Sequence, residues 1–458
     1  MYLSLPICLL LYFILHGIKA RNYLLLVMSL LFYAWGEPKW IILMIVTTLI
    51  DYGAGLLVDQ YRGQKLAKWA LAGSVVITLS FLAVFKYLGF FNQNLNQIFG
   101  AELPTQIFNL PIGISFYTFQ AITYVVDVYR GKAQVQRSYA NLLLYVALFP
   151  QLIAGPIVRY TDIAAQLENR EMTLPGFSKV ITRFVTGLGK KVLLANIAGQ
   201  VATSLIGGDL SKASVLGAWL GIFAYTFQIY FDFSGYSDMA IGLGHMFGFT
   251  YVENFNYPYI SKSITEFWRR WHISLSTFFR DYVYIPLGGN REGTLKTYRN
   301  LMIVFFLTGL WHGASWNFVI WGLFHGTFLV LERIFPIEKI LHFRLLKSIY
   351  TLLVVIVAWV FFRAENLTAA LDYLKRMFVP YKTDVHSAYL SNEFMMVAAL
   401  GLVSCGFLTL IFDKLPVKTE YKFGFLRLVN PAWCAVIAYF SVLLLASNTY
   451  NPFIYFRF

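Results

Sequence analysis

Apolar runs long enough to cross a lipid bilayer recur from one end of this chain to the other, at residues 41–58, 70–89, 346–362 and 432–446, and no soluble domain of ordinary size fits between them. A hydrocarbon core of roughly 30 Å asks for about 20 apolar residues of helix. Inside it every backbone polar group must find its partner within the protein, which a helix achieves by itself. Charged residues make up only 13% of the 458 positions and hydrophobic ones 58%, whereas a soluble domain carries about 25% charge. The expected fold class is all-α, a polytopic membrane protein of roughly 10–13 transmembrane or re-entrant helices. One integral membrane domain is expected over residues 1–458.

The charges support this reading. The formal net charge is +14, but Lys and Arg are dispersed in short loops instead of lining one face, so lipid and not nucleic acid is the expected partner. Loop by loop, Lys19/Arg21, Arg62/Lys65/Lys68, Arg130/Lys132/Arg137 and Lys414/Lys418/Lys422/Arg427 fall on the cytoplasmic side. The N-terminus and the tail of residues 447–458 then fall outside. Trp35, Trp40, Trp69 and Tyr139 flank apolar runs, as interfacial anchors do. Residues 1–17 lack a basic start and precede Lys19 and Arg21, so they read as a first span and not as a signal peptide. Cys8, Cys405 and Cys434 lie in or beside apolar stretches without metal-ligand spacing, so neither a disulfide nor a metal site is expected.

Residues 156–300 mix charges, glycines and short apolar pieces such as 239–249, and resist division into spans. Irregular backbone at membrane depth survives only where protein buries it or where it lines a watery cavity. The stretch is either the lining of an active centre or a set of surface-lying amphipathic helices. Beyond it, residues 301–333 read LMIVFFLTGLWHGASWNFVIWGLFHGTFLVLER, with basic runs at both ends (Arg291/Lys296/Arg299 and Arg333/Lys339). A segment that returns to its own side must reverse inside the membrane, and Gly313, Ala314 and Ser315 offer the turn. A helix from Leu301 to His312 rises about 16 Å at ~1.5 Å per residue, half of the roughly 30 Å core. His312 therefore falls near the midplane, where a titratable group is either functional or satisfied by a neighbouring carbonyl.

A second loaded stretch, EFWRRWHISLSTFFRD over residues 266–281, carries His272. A neutral imidazole can accept a proton or orient a partner, so His272 and His312 together suit general-base work on a hydroxyl, although spacing alone does not make them meet. Arg269, Arg270, Arg280 and Arg291, with Lys296 and Arg299, either clamp a phosphate-bearing donor at the cytoplasmic mouth or merely follow the positive-inside bias. Asp232 and Asp238 offer a proton or cation path, or cap the ends of broken helices, with capping the expected role. His325 reads as structural, because its separation from His312 across a turn does not fix a shared helical face. The chain has no G-x-S-x-G elbow, Walker loop or H-E-x-x-H pair, which disfavours hydrolases of the first type, P-loop pumps and zincins.

Six segments in order carry a family resemblance: LFYAW at 31–35, LPIGISFYTF at 110–119, FDFSGYSDMA at 231–240, ENFNYP at 253–258, WRRWH at 268–272 and LWHGASW at 310–316. Together they resemble the membrane-bound O-acyltransferase superfamily, and within it the bacterial branch of alginate O-acetylase membrane subunits and peptidoglycan O-acetyltransferases. The resemblance implies a ring of helices around a thin central cavity, with residues 230–333 as the catalytic core. The acyl-thioester donor would enter from the cytoplasm and the acceptor from the far side. His312 takes the place of the membrane-embedded His on which transfer depends, and His272 that of a second polar residue upstream. Trp268, Trp311, Asn317, Asp232 and Asp238 would line the cavity.

The same branch passes acetyl groups from acetyl-CoA outward through the bacterial cytoplasmic (inner) membrane. The receiver is an SGNH-type acetyltransferase partner that acts on a polysaccharide. Acetyl-CoA is thus expected as donor substrate, with no bound cofactor. The tail PFIYFRF at 452–458 resembles the F-x-Y-x-x-F end of small partner proteins in related D-alanylation systems, where the Tyr looks like an acyl carrier. Tyr455 is accordingly either a carrier, with His312 as its base, or an aromatic anchor at the lipid surface. Two rival readings remain. One is a secondary transporter or flippase using Asp232, Asp238 and Arg269 as coupling charges; the other is a lipid-modifying acyltransferase of the same superfamily.

Overall fold

Lipid offers no partner to a polar side chain, and the helices of this chain bring their polar residues to one another. The computed structural model describes residues 4–105, 108–153, 155–170, 174–207, 214–379, 391–411, 431–447 and 453. Among them every regular element is a helix, which is the all-α polytopic class expected. Tyr455 and the basic run from Lys414 to Arg427 lie outside the described residues. Helices α1 (Ile41–Gln60), α2 (Lys65–Phe99) and Arg344–Arg363 are long and apolar enough to cross a membrane, and Ser4–Ile14, Asn392–Ser404 and Ala432–Ser447 are shorter apolar helices. Two units make up the chain: Met1–Ile181 with Ala240–Val252, and Thr182–Met239 with Glu253–Phe458.

In the first unit α1 packs on α2. Asp51, buried in the middle of α1, accepts hydrogen bonds from the hydroxyls of Ser74 and Thr78 on α2, the latter at 3.2 Å. An unmet carboxyl there would cost several kcal/mol, about the penalty of one polar group left bare in hydrocarbon. Helix α3 (Ile114–Tyr129) approaches α1 at Gly55, where a Cβ would stand 2.4 Å from the Tyr124 hydroxyl oxygen.

In the second unit, the part of α4 (Leu174–Gly189) from Thr182 onward rests on α5 (Val215–Met246) through two glycines. A Cβ on Gly187 would meet the Gly235 carbonyl oxygen at 2.6 Å, and one on Gly235 the Gly187 oxygen at 2.7 Å. The backbones therefore touch, and the widened turn Lys190–Ala195 that follows α4 is laid beside α5 with its two lysines. Asp238 accepts from Arg183 at 2.8 Å and from Lys190 at 2.7 Å, Glu253 also takes Arg183, and Asp232 is ion-paired with Lys191. This corrects two expectations. The helix runs unbroken through both aspartates, so neither caps a helix end, and part of the stretch that resisted division is one 32-residue helix.

The remaining elements carry the site. Ser263 accepts from the Glu266 amide at 3.0 Å and starts α6 (Ile264–Arg270), a side-chain N-cap, and α7 (Ile273–Phe279) follows after a two-residue break. Helix α8 (Thr294–His312) ends where Gly313 turns extended, and α9 (Trp316–Ile334) begins three residues on, at the small residues expected to reverse the chain. The two pack on one another through another pair of glycines: a Cβ on Gly309 would lie 2.4 Å from the Phe318 oxygen, and one on Gly322 2.2 Å from the Phe305 oxygen. Close backbone approach of this kind is how membrane helices gain packing when no hydrophobic effect drives them together. Helix α10 (Arg344–Arg363) packs on α9.

Gly322→Val should therefore force α8 and α9 apart. We expect a loss of about 2–3 kcal/mol or more, typical of overpacking a close contact. It should show as loss of the monodisperse peak on size exclusion in detergent, while Gly36→Ala, where a Cβ meets nothing within 4 Å, keeps the wild-type profile.

Candidate active site

His272 occupies the break between α6 and α7 with φ 43° and ψ 56°, a left-handed conformation shared among non-glycine residues of the described chain only by Tyr257. Such a backbone costs about 1–3 kcal/mol and persists only where its surroundings over-determine it. Here the segment around Asn254 does so. The Ile273 amide donates to the Asn254 carbonyl at 3.0 Å, and the Asn256 amide to the Arg270 carbonyl at 2.9 Å. The Asn254 side chain completes the clamp. Its Oδ1 accepts from the Ser274 amide at 3.2 Å and the Ser274 hydroxyl at 2.9 Å, and its Nδ2 donates to the Ser237 hydroxyl at 3.1 Å.

These bonds settle which proton His272 carries. A backbone amide can only donate, so the atom facing Ser274 is the carboxamide oxygen, and His272 Nδ1, 3.1 Å from it, must be the protonated nitrogen. Nε2 is then left with its lone pair. It is buried in a residue of 0% exposure and has no hydrogen-bond partner among the described residues.

His312 ends α8 inside an aromatic cage. Its ring centroid lies 4.9 Å from Trp311, 4.8 Å from Trp321 at 88°, and 5.1 Å from Phe362 of α10 at 75°. The residue is 4% exposed. Trp311 also meets the His272 ring at 5.9 Å, and Phe233 of α5 stands edge-on to that ring at 4.7 Å. The two histidines thus share one indole between them, a meeting that their sequence spacing left open.

The other expected residues divide. Trp268 packs on Trp321 at 5.7 Å and on Phe305 at 5.0 Å, in the same aromatic wall. Asn317 is buried and donates to the carbonyls of Phe361 at 3.1 Å and Ala364 at 2.8 Å, satisfying the last turn of α10. Asp232 and Asp238 are held in the ion pairs on α5. Arg270 is paired with Glu266 at 2.7 Å and also donates to the Asn256 carbonyl, and Arg280 is paired with its neighbour Asp281. Arg269 and Arg291 are exposed.

Three contributors went unsingled in the sequence: Asn254, Ser274 and Trp321. Asn254 stood within the ENFNYP segment, but only a backbone turn at His272 gives its carboxamide a role. Trp321 and His325 are four residues apart on α9, one helical face. That pairing was legible from spacing, whereas the contact with His312 depended on how closely α8 and α9 approach.

The arrangement places two imidazoles, one with a bare acceptor nitrogen, in an enclosed aromatic setting inside a membrane protein. The profile of the membrane-bound O-acyltransferase (MBOAT) family matches residues 131–371. The chain is 43% identical to the probable alginate O-acetylase of Pseudomonas putida, over 100% of this chain and 98% of that one. It is 48% identical to the probable alginate O-acetylase of Azotobacter vinelandii, over 82% of this chain and 76% of the relative. It is 37% identical to the peptidoglycan O-acetyltransferase of Helicobacter pylori, over 81% and 77%. The chain belongs to the membrane-bound O-acyltransferase family and is an O-acyltransferase.

Proposed function

We propose that this enzyme moves an acetyl group from cytoplasmic acetyl-CoA across the bacterial cytoplasmic (inner) membrane toward an extracytoplasmic polysaccharide, such as an exopolysaccharide or peptidoglycan, with an SGNH-type partner completing the transfer. The observation that carries this reading is the pair of buried imidazoles joined by Trp311, with His272 Nε2 presented as an acceptor. The relatives, a probable alginate O-acetylase and a peptidoglycan O-acetyltransferase, support the choice of acyl group and acceptor class.

In the transfer the acceptor hydroxyl gives its proton to His312, and its oxygen attacks the thioester carbonyl. The carbon–sulfur bond breaks as the new ester bond closes, and the thiolate takes up the proton to leave as coenzyme A. A positioned base of this kind contributes about a hundred- to ten-thousand-fold. His272, with Nε2 as an acceptor, positions the proton-bearing acceptor hydroxyl for His312. Donor binding is assigned to the basic mouth formed by Arg269, Arg270, Arg280 and Arg291, and the first acceptor to the Tyr455 hydroxyl.

Purified protein in detergent, given acetyl-CoA labelled in the acetyl group, should consume the thioester; a transporter would leave it intact, and a lipid-modifying enzyme would label phospholipid without a partner. His312→Ala should lower consumption by about a hundred-fold or more while the protein remains extractable, and wild-type turnover in that variant would remove the base assignment. Asn254→Leu frees His272 to change tautomer and should cost about tenfold in turnover, the worth of one hydrogen bond of ~1.4 kcal/mol; an unchanged rate in folded protein would detach the clamp from the chemistry. Tyr455→Phe deletes one hydroxyl and should abolish polysaccharide acetylation in cells, and acetylation at the wild-type level would make the tail an anchor.

A further inference from the structure

The aromatic cage of His312 continues into a second cluster that the transfer chemistry above does not use. Trp321, 4.8 Å from the His312 ring, also meets the His325 ring at 5.2 Å. Trp268 touches both, at 5.7 Å from Trp321 and 5.1 Å from His325. Phe267 lies flat on His325, the planes 3° apart. His325 and Trp321 are 0% exposed and Trp268 7%. Among the described residues, both ring nitrogens of His325 and the indole nitrogens of Trp268 and Trp321 have no hydrogen-bond partner.

Packing does not account for the imidazole. A phenyl ring of nearly the same shape would fill the place and bury no polar atom, and buried polar groups left unmatched are rare because they cost free energy. The cluster also has a definite chemical bias. Each indole brings one donor, and a neutral imidazole brings one donor and one acceptor. The adjoining rings therefore bring three donors against one acceptor, a surplus that suits an oxygen with lone pairs to offer.

We propose that Trp268, Trp321 and His325 form a buried site for a single hydrogen-bond-accepting oxygen, beside His312. This rests on the acyl-transfer reading and deepens it. Two sources carry that chemistry: the carbonyl oxygen of the acyl donor, whose negative charge grows as the thioester is attacked, and an internal water that holds Trp321 and His325 in register.

The test uses the full-length protein in detergent. His325→Phe keeps a ring and removes both nitrogens, and His325→Gln keeps an amide donor and acceptor. His325→Phe is expected to retain or raise the thermal midpoint and to lose at least about tenfold in turnover of acetyl-CoA, with His325→Gln recovering part of the loss. Two probes separate the sources: the ketone analogue of acetyl-CoA, which keeps the carbonyl without a cleavable bond, and S-ethyl coenzyme A, which lacks it. With the carbonyl in the site, the wild-type preference for the ketone shrinks toward unity in His325→Phe. With water there, turnover falls and the preference stays. Folded His325→Phe protein with wild-type turnover and preference overturns the proposal. If that variant does not fold, Trp268→Phe, which deletes one donor, carries the same readout. Wild-type protein that consumes no acetyl-CoA counts against the transfer reading itself, so the two failures are distinguishable.

Discussion

At Gly309 and Gly322 the backbones of α8 and α9 lie in direct contact, with no side chain between them. That single approach sets the scale of the surroundings of His312. Trp321 precedes Gly322 and so comes to rest against the imidazole that ends the opposite helix, and Phe362 of α10 closes another side. A longer side chain at either glycine would widen the gap by more than a ring contact tolerates. The cage is therefore a consequence of two missing Cβ atoms as much as of the aromatic residues that form it.

His272 depends on a different device, a strained turn held by hydrogen bonds. The left-handed backbone costs about 1–3 kcal/mol, and the bonds linking Asn254 and Asn256 to Arg270, Ile273 and Ser274, at about 1 kcal/mol each, are of the size needed to hold it. The strain has a chemical use. It turns the ring so that one nitrogen is committed to Asn254 while the other stays open, in a residue from which solvent is absent.

The membrane class was legible because hydropathy over about 20 residues answers to one constraint, the thickness of the bilayer. The reversal at Gly313 to Ser315 was legible for a related reason: two basic ends force an apolar run to fold back, and small residues mark where. Residues 215–246 were harder. Their glycines, aspartates and serines lower the hydropathy of what is one continuous helix, and those polar groups are accommodated by cations and glycines far away in sequence, at Arg183, Gly187, Lys190 and Lys191. Likewise His325 read as structural because a thirteen-residue interval says nothing until α8 and α9 are seen to touch. Periodicity reports which residues share a face; it does not report what lies against that face.

The charges beside α5 have an electrical consequence. Arg183, Lys190 and Lys191 face Asp232, Asp238 and Glu253, three positive groups against three negative. A transmembrane voltage does about 2.3 kcal/mol of work per elementary charge for each 100 mV, but on a set whose sum is zero a rigid shift through the field does none. An energised membrane thus has no net grip on a rigid displacement of this cluster, whichever way the field points across it.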